Sequence, residues 1–538
     1  MTSADLIIMA DRIHTMGAPG PAVTALAVRA GVITALGTRE DARDWRANHT
    51  EVIELGDATV TPGLVDGHSH PVMGLGLTQG ADLSAVSTID ELIRALRAAP
   101  RDGWICGWGL DPDAFGGAPI TYRPLVEALG TDVPVYLTFV DAHSALASPQ
   151  ALALAGITGP REFASGAAIV CGPDGRPTGH LLELDAMALV RALLPAGDPA
   201  DRRRRLLDLL NEMAAVGYTA GNAMDFEGDA LELFRALEAS GSLPMRWRFA
   251  TFVTPGSSTA DLARVLEQQR LCGRRWRVDG AKFMIDGTID GGTAWLTEPD
   301  VHGESIAPLW PDPAEYAAAV RHLAARGVPT VTHAIGDAGI EYVLKTLSDL
   351  PRRSPVPHRI EHLETMPADL LPRFRALDVT ASMQPTHCTH YTRADHSDNW
   401  SSRLGPDRAQ RAFRCRDLRE HGARLALGSD WPIAPFDPRA IIADARLRRP
   451  AGRRNTEPVV PGQALTARMA LEGFTTQAAA AAGLSDRSGR VAPGFVADLA
   501  AFELDPLTAD PDEFADSPVL LTLVEGEVVH RAGARVSR

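Results

Sequence analysis

Lysine is nearly absent from this chain. Of its 53 basic side chains only Lys282 and Lys345 are lysine. Arginine stays protonated in proteins, whereas a buried lysine can lose its proton and serve as a nucleophile, a base or a modified ligand. A retained lysine therefore calls for a reason. Lys345, in Tyr342-Val-Leu-Lys-Thr-Leu347, reads as an ordinary solvated helix position; Lys282 does not. Cysteine is also scarce: Cys106, Cys171, Cys272, Cys388 and Cys415 are odd in number and scattered, with no Cys-x-x-Cys. That excludes a disulfide framework or a cysteine zinc knuckle and predicts buried free thiols. No stretch approaches the roughly 18 to 20 apolar residues of a membrane span. The N-terminus lacks a basic segment leading into a long apolar one, so a cytoplasmic protein is expected. Basic charge is in deficit, with a net charge of −15. The one basic run, Arg202 to Arg205, sits among leucines and predicts the exposed start of an amphipathic helix, so neither nucleic acid nor membrane is an expected partner.

What the chain does contain is enough apolar residue, 45% of 538, for one large domain and one or two smaller ones. Residues 1 to 62 alternate short strand-like runs with turns, including Ala25 to Leu36 around Gly31. Residues 485 to 538 repeat that texture, around Gly494 and Gly526. Neither end alone has enough strands to bury a sheet face, so both are expected to build one small β-sandwich. Between them, residues 63 to 484 alternate apolar strands with helical stretches. Eight strands are expected, at 59–65, 219–223, 246–253, 278–284, 328–333, 358–362, 379–384 and 424–430. Helices are expected at 203–216, 313–326 and 407–421 among others. The fold class is α/β, a (β/α)8 TIM-like barrel. Residues 80 to 185 are too long for a strand-to-helix loop and read as an insertion after barrel strand 1, over the mouth.

The polar residues at the expected strand ends converge. In Thr61-Pro-Gly-Leu-Val-Asp-Gly-His-Ser-His-Pro71, His68 and His70 stand two apart, and an extended strand points both to one face. Alone such a pair decides little, because short motifs have frequent chance matches. Lys282 follows at strand 4, His333 at strand 5, His362 at strand 6 and Asp430 at strand 8. Singly, each has a structural explanation: hydrogen-bonded histidines, Asp430 as a turn former, a salt bridge from Lys282 to Asp286. A barrel gathers its strand ends around one mouth, where TIM-barrel enzymes place their active sites, and the joint placement of six such residues on one rim argues against six separate structural explanations.

Five segments, Pro-Gly-Leu-Val-Asp-Gly-His-Ser-His (62–70), Asp-Gly-Ala-Lys (279–282), Thr-His-Ala-Ile-Gly-Asp (332–337), Arg-Ile-Glu-His (359–362) and Leu-Gly-Ser-Asp-Trp-Pro (427–432), resemble the amidohydrolase superfamily. The branch they resemble includes N-substituted formamide deformylases. Pro177 to Glu183, Gln384 to His387, Glu472 to Gln477 and Gly494 to Leu499 fit the same branch, so the resemblance spans essentially the whole chain. It implies His68 and His70 on one divalent ion, His333 and His362 on a second, a CO2-carboxylated Lys282 bridging them, and Asp430 as ligand and proton shuttle. An unmodified lysine ammonium has no lone pair to offer an ion; without the modification, a single-ion site with His68, His70, His333 or His362, and Asp430 is expected. Zinc is the default, one or two per chain, with manganese, iron or cobalt able to use the same ligands. Asp66, Asp337 and Glu361 are expected either to orient the histidines or to serve ordinary capping and surface roles. His387 is expected on a loop after strand 7, lining the mouth, rather than joining Cys388, His390 and His396 in another metal site. Trp108, Phe139, His143, Asp286 and Trp431 are candidate substrate contacts.

The expected activity is hydrolysis by metal-activated hydroxide of a non-peptide carbon–nitrogen bond in a small molecule: an N-substituted formamide, another N-acyl amine or a cyclic amide. The alternative reaction classes are ester or lactone hydrolysis, deamination and decarboxylation at the same site. A non-catalytic binding barrel would lack ligands, and this chain lacks none of them. A homodimer is expected only on general frequency.

Overall fold

The computed structural model describes residues 3–18, 20–99, 103–195, 197–351 and 354–533. Parts of the expected terminal and insertion segments, residues 1, 2, 19, 100–102 and 534–538, lie outside the described residues. Its centre is a sheet of eight strands: β1 (Leu64–Ser69), β2 (Tyr218–Ala223), β3 (Arg246–Phe252), β4 (Trp276–Met284), β5 (Thr330–Ala334), β6 (Arg359–His362), β7 (Thr380–Met383) and β8 (Arg424–Leu427). Neighbours pair in chain order and always in parallel. Every residue of β1, β5, β6 and β7 is buried. Helices cover the outer face of a parallel sheet, so its strands are apolar on both sides instead of alternating.

Side chains and loops, not a long ladder, close the seam between β1 and β8. Asp430 N donates to His68 O at 2.7 Å, and the Asp66 carboxylate accepts from Ser429 N at 3.0 Å and Ser429 Oγ at 2.6 Å. Glycine makes the approach possible. A Cβ on Gly67 would fall on the Leu427 carbonyl oxygen, and one on Gly428 would fall on His68 N. Because rigid backbone is what it would meet, Gly67→Ala is expected to destabilise the protein by about 1–3 kcal/mol through overpacking. Thermal denaturation checks this; a wild-type melting temperature would show that the seam can open without cost.

The first barrel strand differs from the expectation at 59–65. Thr59–Pro62 belongs to another sheet, where it pairs antiparallel with Leu499–Phe502, and the barrel begins only after Gly63. Two apolar strands run in tandem there with no polar residue between them, so periodicity cannot separate them. Gly63 is the switch point, where a Cβ would meet the Thr219 side chain. The helix expected over 407–421 is two short ones, Pro406–Ala409 and Cys415–Glu420, broken where Phe413 takes a φ of +46°.

Both ends of the chain meet in a β-sandwich. One sheet contains Leu6–Met9, Ala25–Arg29, Val32–Gly37 and Glu51–Glu54. The other joins Arg12–Ile13 and Thr59–Pro62 to Leu499–Phe502, Val519–Val524 and Glu527–Arg531. Leu26, Val28, Ile53, Val60, Leu499 and Leu521 share the core between them. Residues 81–182 carry a separate six-stranded sheet with apolar clusters of its own.

Candidate metal centre

β1 supplies His68 from its interior and His70 one step beyond its end, and their Nε2 atoms stand 3.3 Å apart. Asp430 follows β8. Its Oδ1 is 3.3 Å from His68 Nε2 and 3.2 Å from His70 Nε2. His362, at the end of β6, brings Nδ1 to 3.7 Å from Asp430 Oδ2. His68, His362 and Asp430 offer ligand atoms that all lie within 4.8 Å of one another. His333, next to last in β5, has its ring centroid 4.5 Å from that of His362. Lys282, on β4, is 2% exposed and lines the same cavity. The tightest group thus mixes residues that the sequence assigns to two ions. His362 and Asp430 have φ of +74° and +60°, values L side chains rarely adopt and which cost on the order of 1–3 kcal/mol each.

Buried partners decide which lone pairs face the centre. His68 Nδ1 lies 2.6 Å from Glu361 Oε2, and a carboxylate only accepts, so this nitrogen carries the proton and Nε2 the lone pair. His333 Nε2 donates to Gly287 O at 3.0 Å, leaving Nδ1 open. His362 Nδ1 bonds Gln384 Oε1 at 3.0 Å, leaving Nε2 open. Burial, reinforced by the Lys282 charge, takes His68 down to about 4. Burial, followed by neighbouring histidines and Lys282, holds His333 and His362 well below the usual histidine value. All three are neutral at pH 7, the state in which imidazole can ligate an ion. Burial lowers Lys282 to about 8 against the pull of Glu361 and Asp430. Burial works against the Asp430 charge, but His68, His70 and His387 outweigh it and keep the carboxylate ionised.

Glu361 thus orients the His68 ring, and Arg359 holds Glu361 in turn, with Nε 2.9 Å from Oε1 and Nη2 3.0 Å from Oε2. Asp66 acts on backbone instead, accepting from His68 N and Ser429. Asp337 orients no histidine: it accepts from Thr297 N and Ala338 N at the start of the helix Asp337–Ser348.

The candidate substrate contacts divide. His143 and His387 line the cavity. His387 lies on a short helix, Pro385–Tyr391, instead of the expected loop, because Pro385 supplies a helical first turn. Its Nε2 stands 3.6 Å from Asp430 Oδ2. Of its neighbours, Cys388 is buried, His390 faces Asp444 and His396 faces Gln410, so they make no joint metal site among the described residues. Trp108, Phe139, Asp286 and Trp431 are not among the cavity-lining residues. Trp108 extends the insertion sheet, Phe139 packs on Phe115 and His180, and Trp431 lies against Gly74. Asp286 is fully buried beneath the site, accepting from the backbone N–H of Trp295, Ile335 and Gly336. An aromatic or acidic residue near a strand end in sequence need not point into the mouth.

Several wall residues carried no sequence signal. Glu364, Tyr391, Asn399 and Trp400 line the cavity from the segments after β6 and β7, the last three on the short helices Pro385–Tyr391 and Asn399–Leu404, where no long periodicity guides reading. Asp225 is buried and accepts from Val72 N and Met73 N, fixing the helix Pro71–Leu77 directly after the two histidines. Arg359 was legible in principle, since it stands two residues from Glu361 on one strand face.

The comparisons agree with this geometry. The model of the amidohydrolase family matches residues 51–530. YtcJ of Bacillus subtilis (strain 168), assigned to the amidohydrolases by name, is 28% identical over 96% of this chain and 98% of its own length. The N-substituted formamide deformylase of Arthrobacter pascens is 26% identical over 97% of each chain. The fold matches an uncharacterized metal-dependent hydrolase from Pyrococcus horikoshii OT3 with a TM-score of 0.72, at 24% identity over 94% of this chain and 99% of that one. With its eight-stranded barrel and the cluster of His68, His362 and Asp430, the chain belongs to the amidohydrolase family of metal-dependent hydrolases.

Proposed function

We propose that this protein hydrolyses a non-peptide carbon–nitrogen bond of a small molecule, in the class of N-substituted formamides, other N-acyl amines or cyclic amides. The observation that carries the reading is the convergence of lone pairs: with its Nδ1 proton held by Glu361, His68 turns the Nε2 lone pair toward the Asp430 carboxylate at 3.3 Å. Two acceptors facing one another at that distance repel, and a cation between them resolves the conflict. Imidazole and carboxylate donors suit a borderline divalent ion such as zinc. His68, His70, His333, His362 and Asp430 would hold it. When bound, such an ion supplies Lewis acidity, polarising a carbonyl and lowering the pKa of a water toward about 7. The relative from Arthrobacter pascens, similar along its whole length, supports an amide-type substrate.

The chain's own residues then have distinct tasks. Asp430, ionised and at the rim, takes a proton from the attacking water and gives it to the departing nitrogen. Glu361 keeps the His68 ring in one orientation. The Lys282 side chain is buried and faces the cavity, and its ammonium group makes no hydrogen bond or ion pair with the described residues, an unusual state for an ammonium group. Its lowered pKa leaves part of it neutral near pH 7 to 8. CO2 adding to that amine, with loss of one proton, gives a carbamate anion that could serve two ions at once, a role arginine could not fill.

The test is elemental analysis of protein purified without chelator, together with intact mass in bicarbonate. The expected result is about two equivalents of a zinc-like metal and one added CO2, followed by turnover in an amide and formamide screen. About one equivalent with unmodified lysine would replace the two-ion site by a single-ion one. Absence of bound metal, or turnover indifferent to chelation, would overturn the reading.

A further inference from the structure

The insertion and the barrel border a second cavity, of about 490 Å³, a size that suits a small organic ligand. Met73 lines both this cavity and that of the metal centre, and no other described residue does. The helix Pro71–Leu77 supplies Met73 and Leu77 to one wall, and the helix Pro199–Ala215 supplies Pro199. Leu194 and Pro195 follow the helix Glu183–Arg191. Together these make an apolar surface.

Two polar groups in the same cavity have no partner in the protein. Tyr136 and Thr138 stand two apart on the insertion strand Val135–Phe139, so the strand period turns both toward the cavity they line. Tyr136 is 3% exposed, and its hydroxyl completes no hydrogen bond. An orphaned buried hydroxyl loses its hydration with nothing in exchange. Burial raises the phenol pKa against the pull of the Arg191 charge, and then of the Thr138 hydroxyl beside it, so the group keeps its proton at pH 7. Arg191 ends its helix and lines the cavity, and its side chain makes no hydrogen bond or ion pair with the described residues. The neighbouring charges are accounted for. Arg202 is held by Asp229, with Nε 2.7 Å from Oδ2 and Nη2 3.0 Å from Oδ1, and by the Val72 carbonyl at 3.0 Å. Glu227 lines the cavity as an exposed, solvated residue.

A free guanidinium and a free hydroxyl donor on one cavity, with no protein acceptor for either, match an anion. We propose that this cavity is a second small-molecule site and that its ligand is an organic carboxylate. The carboxylate oxygens accept from the Arg191 guanidinium and the Tyr136 hydroxyl, and the hydrocarbon body packs on Met73, Leu77 and Leu194. One unpaired guanidinium balances one negative charge, and the apolar wall takes a body that inorganic phosphate lacks. Binding here uses none of the metal-centre donors, so it is independent of the hydrolytic chemistry.

Calorimetry on the full-length, metal-loaded protein tests this, with phenylacetate as the probe and acetohydroxamate in excess to occupy any position on a metal. About one equivalent of phenylacetate is expected to bind, with phenylacetamide, its uncharged counterpart, at least about tenfold weaker. Arg191→Gln is expected to weaken phenylacetate by about tenfold or more, and Tyr136→Phe by about three- to tenfold, with metal content and melting temperature unchanged. Tyr136→Phe removes only the orphaned hydroxyl, so it carries the test if Arg191→Gln does not fold. No saturable binding below about 10 mM, or equal affinity in wild type and both variants, would overturn the proposal. Loss of binding in the presence of acetohydroxamate would also overturn it, because the carboxylate would then belong to the metal centre. Inorganic phosphate that displaces phenylacetate at equal concentration would overturn the assignment to a carboxylate with an apolar body.

Discussion

Replacing Asp430 with asparagine is expected to lower kcat by about 10²–10⁴-fold with metal still partly bound. The two side chains are the same size, and both tolerate the left-handed backbone that Asp430 adopts at φ +60°. The backbone is therefore not the variable. What changes is proton affinity and charge. The Asp430 carboxylate lies within 3.7 Å of His68, His70, His362 and His387, and an amide there can neither accept a proton from water nor return one to nitrogen. The imidazole ligands remain, which is why metal binding weakens less than turnover. Steady-state kinetics on an accepted amide, with metal analysis of the same sample, checks this. Near wild-type turnover would remove Asp430 from the proton pathway.

Arg359→Met is expected to destabilise the fold by about 3–5 kcal/mol. Arg359 is 1% exposed and Glu361 fully buried, and besides Glu361 the guanidinium holds Ser382 Oγ at 2.9 Å and the Gly67 carbonyl at 2.5 Å. Methionine fills the space but leaves the Glu361 charge with the His68 hydrogen bond and the Lys282 charge alone among the partners that lower it, and an underpaired buried charge is what makes breaking such pairs costly. Burial opposes the Glu361 charge, but Arg359 and then His68 overcome it and lower the carboxyl to about 2. A lowered acid contributes stability above its unfolded value, near 4.5, and loses that contribution as pH falls through its folded value. In the wild type this loss falls between about pH 4.5 and pH 2; in Arg359→Met the acid limb begins at higher pH. Denaturant unfolding at pH 7 and pH 4 measures both effects. Adding Glu361→Leu to Arg359→Met should recover part of the loss, since replacing both members of a buried pair is far milder than removing one. A single variant as stable as wild type would show that the pair is dispensable to the fold.

Much of the site was legible before any fold was known. His68 and His70 were placed on one face by strand period alone, and Lys282 stood out because the chain avoids lysine elsewhere. His333, His362 and Asp430 ended apolar segments that alternate with helices, which is enough to put them on one barrel rim. Other assignments failed for reasons local pattern cannot express. Thr59–Pro62 and Leu64–Ser69 read as one strand, and only pairing with Leu499–Phe502 separates them. Trp108, Asp286 and Trp431 were near the mouth in sequence but turned to an insertion strand, a buried loop anchor and a helix face.

The sequence by itself named a candidate donor set and determined the parallel barrel and the retention of one lysine at a strand end, because residue chemistry and hydrophobic period are local properties. Only the tertiary structure decided which lone pairs meet. Strand alternation would send the consecutive residues Glu361 and His362 to opposite faces. Glu361 instead binds the His68 ring, while the left-handed turn at His362 carries the next side chain into the same centre. His143 and Glu183 likewise reach the barrel from an insertion whose docking depends on contacts such as Asp141 with Thr288. Such distances are fixed by how closed elements pack on one another, a property of the whole chain.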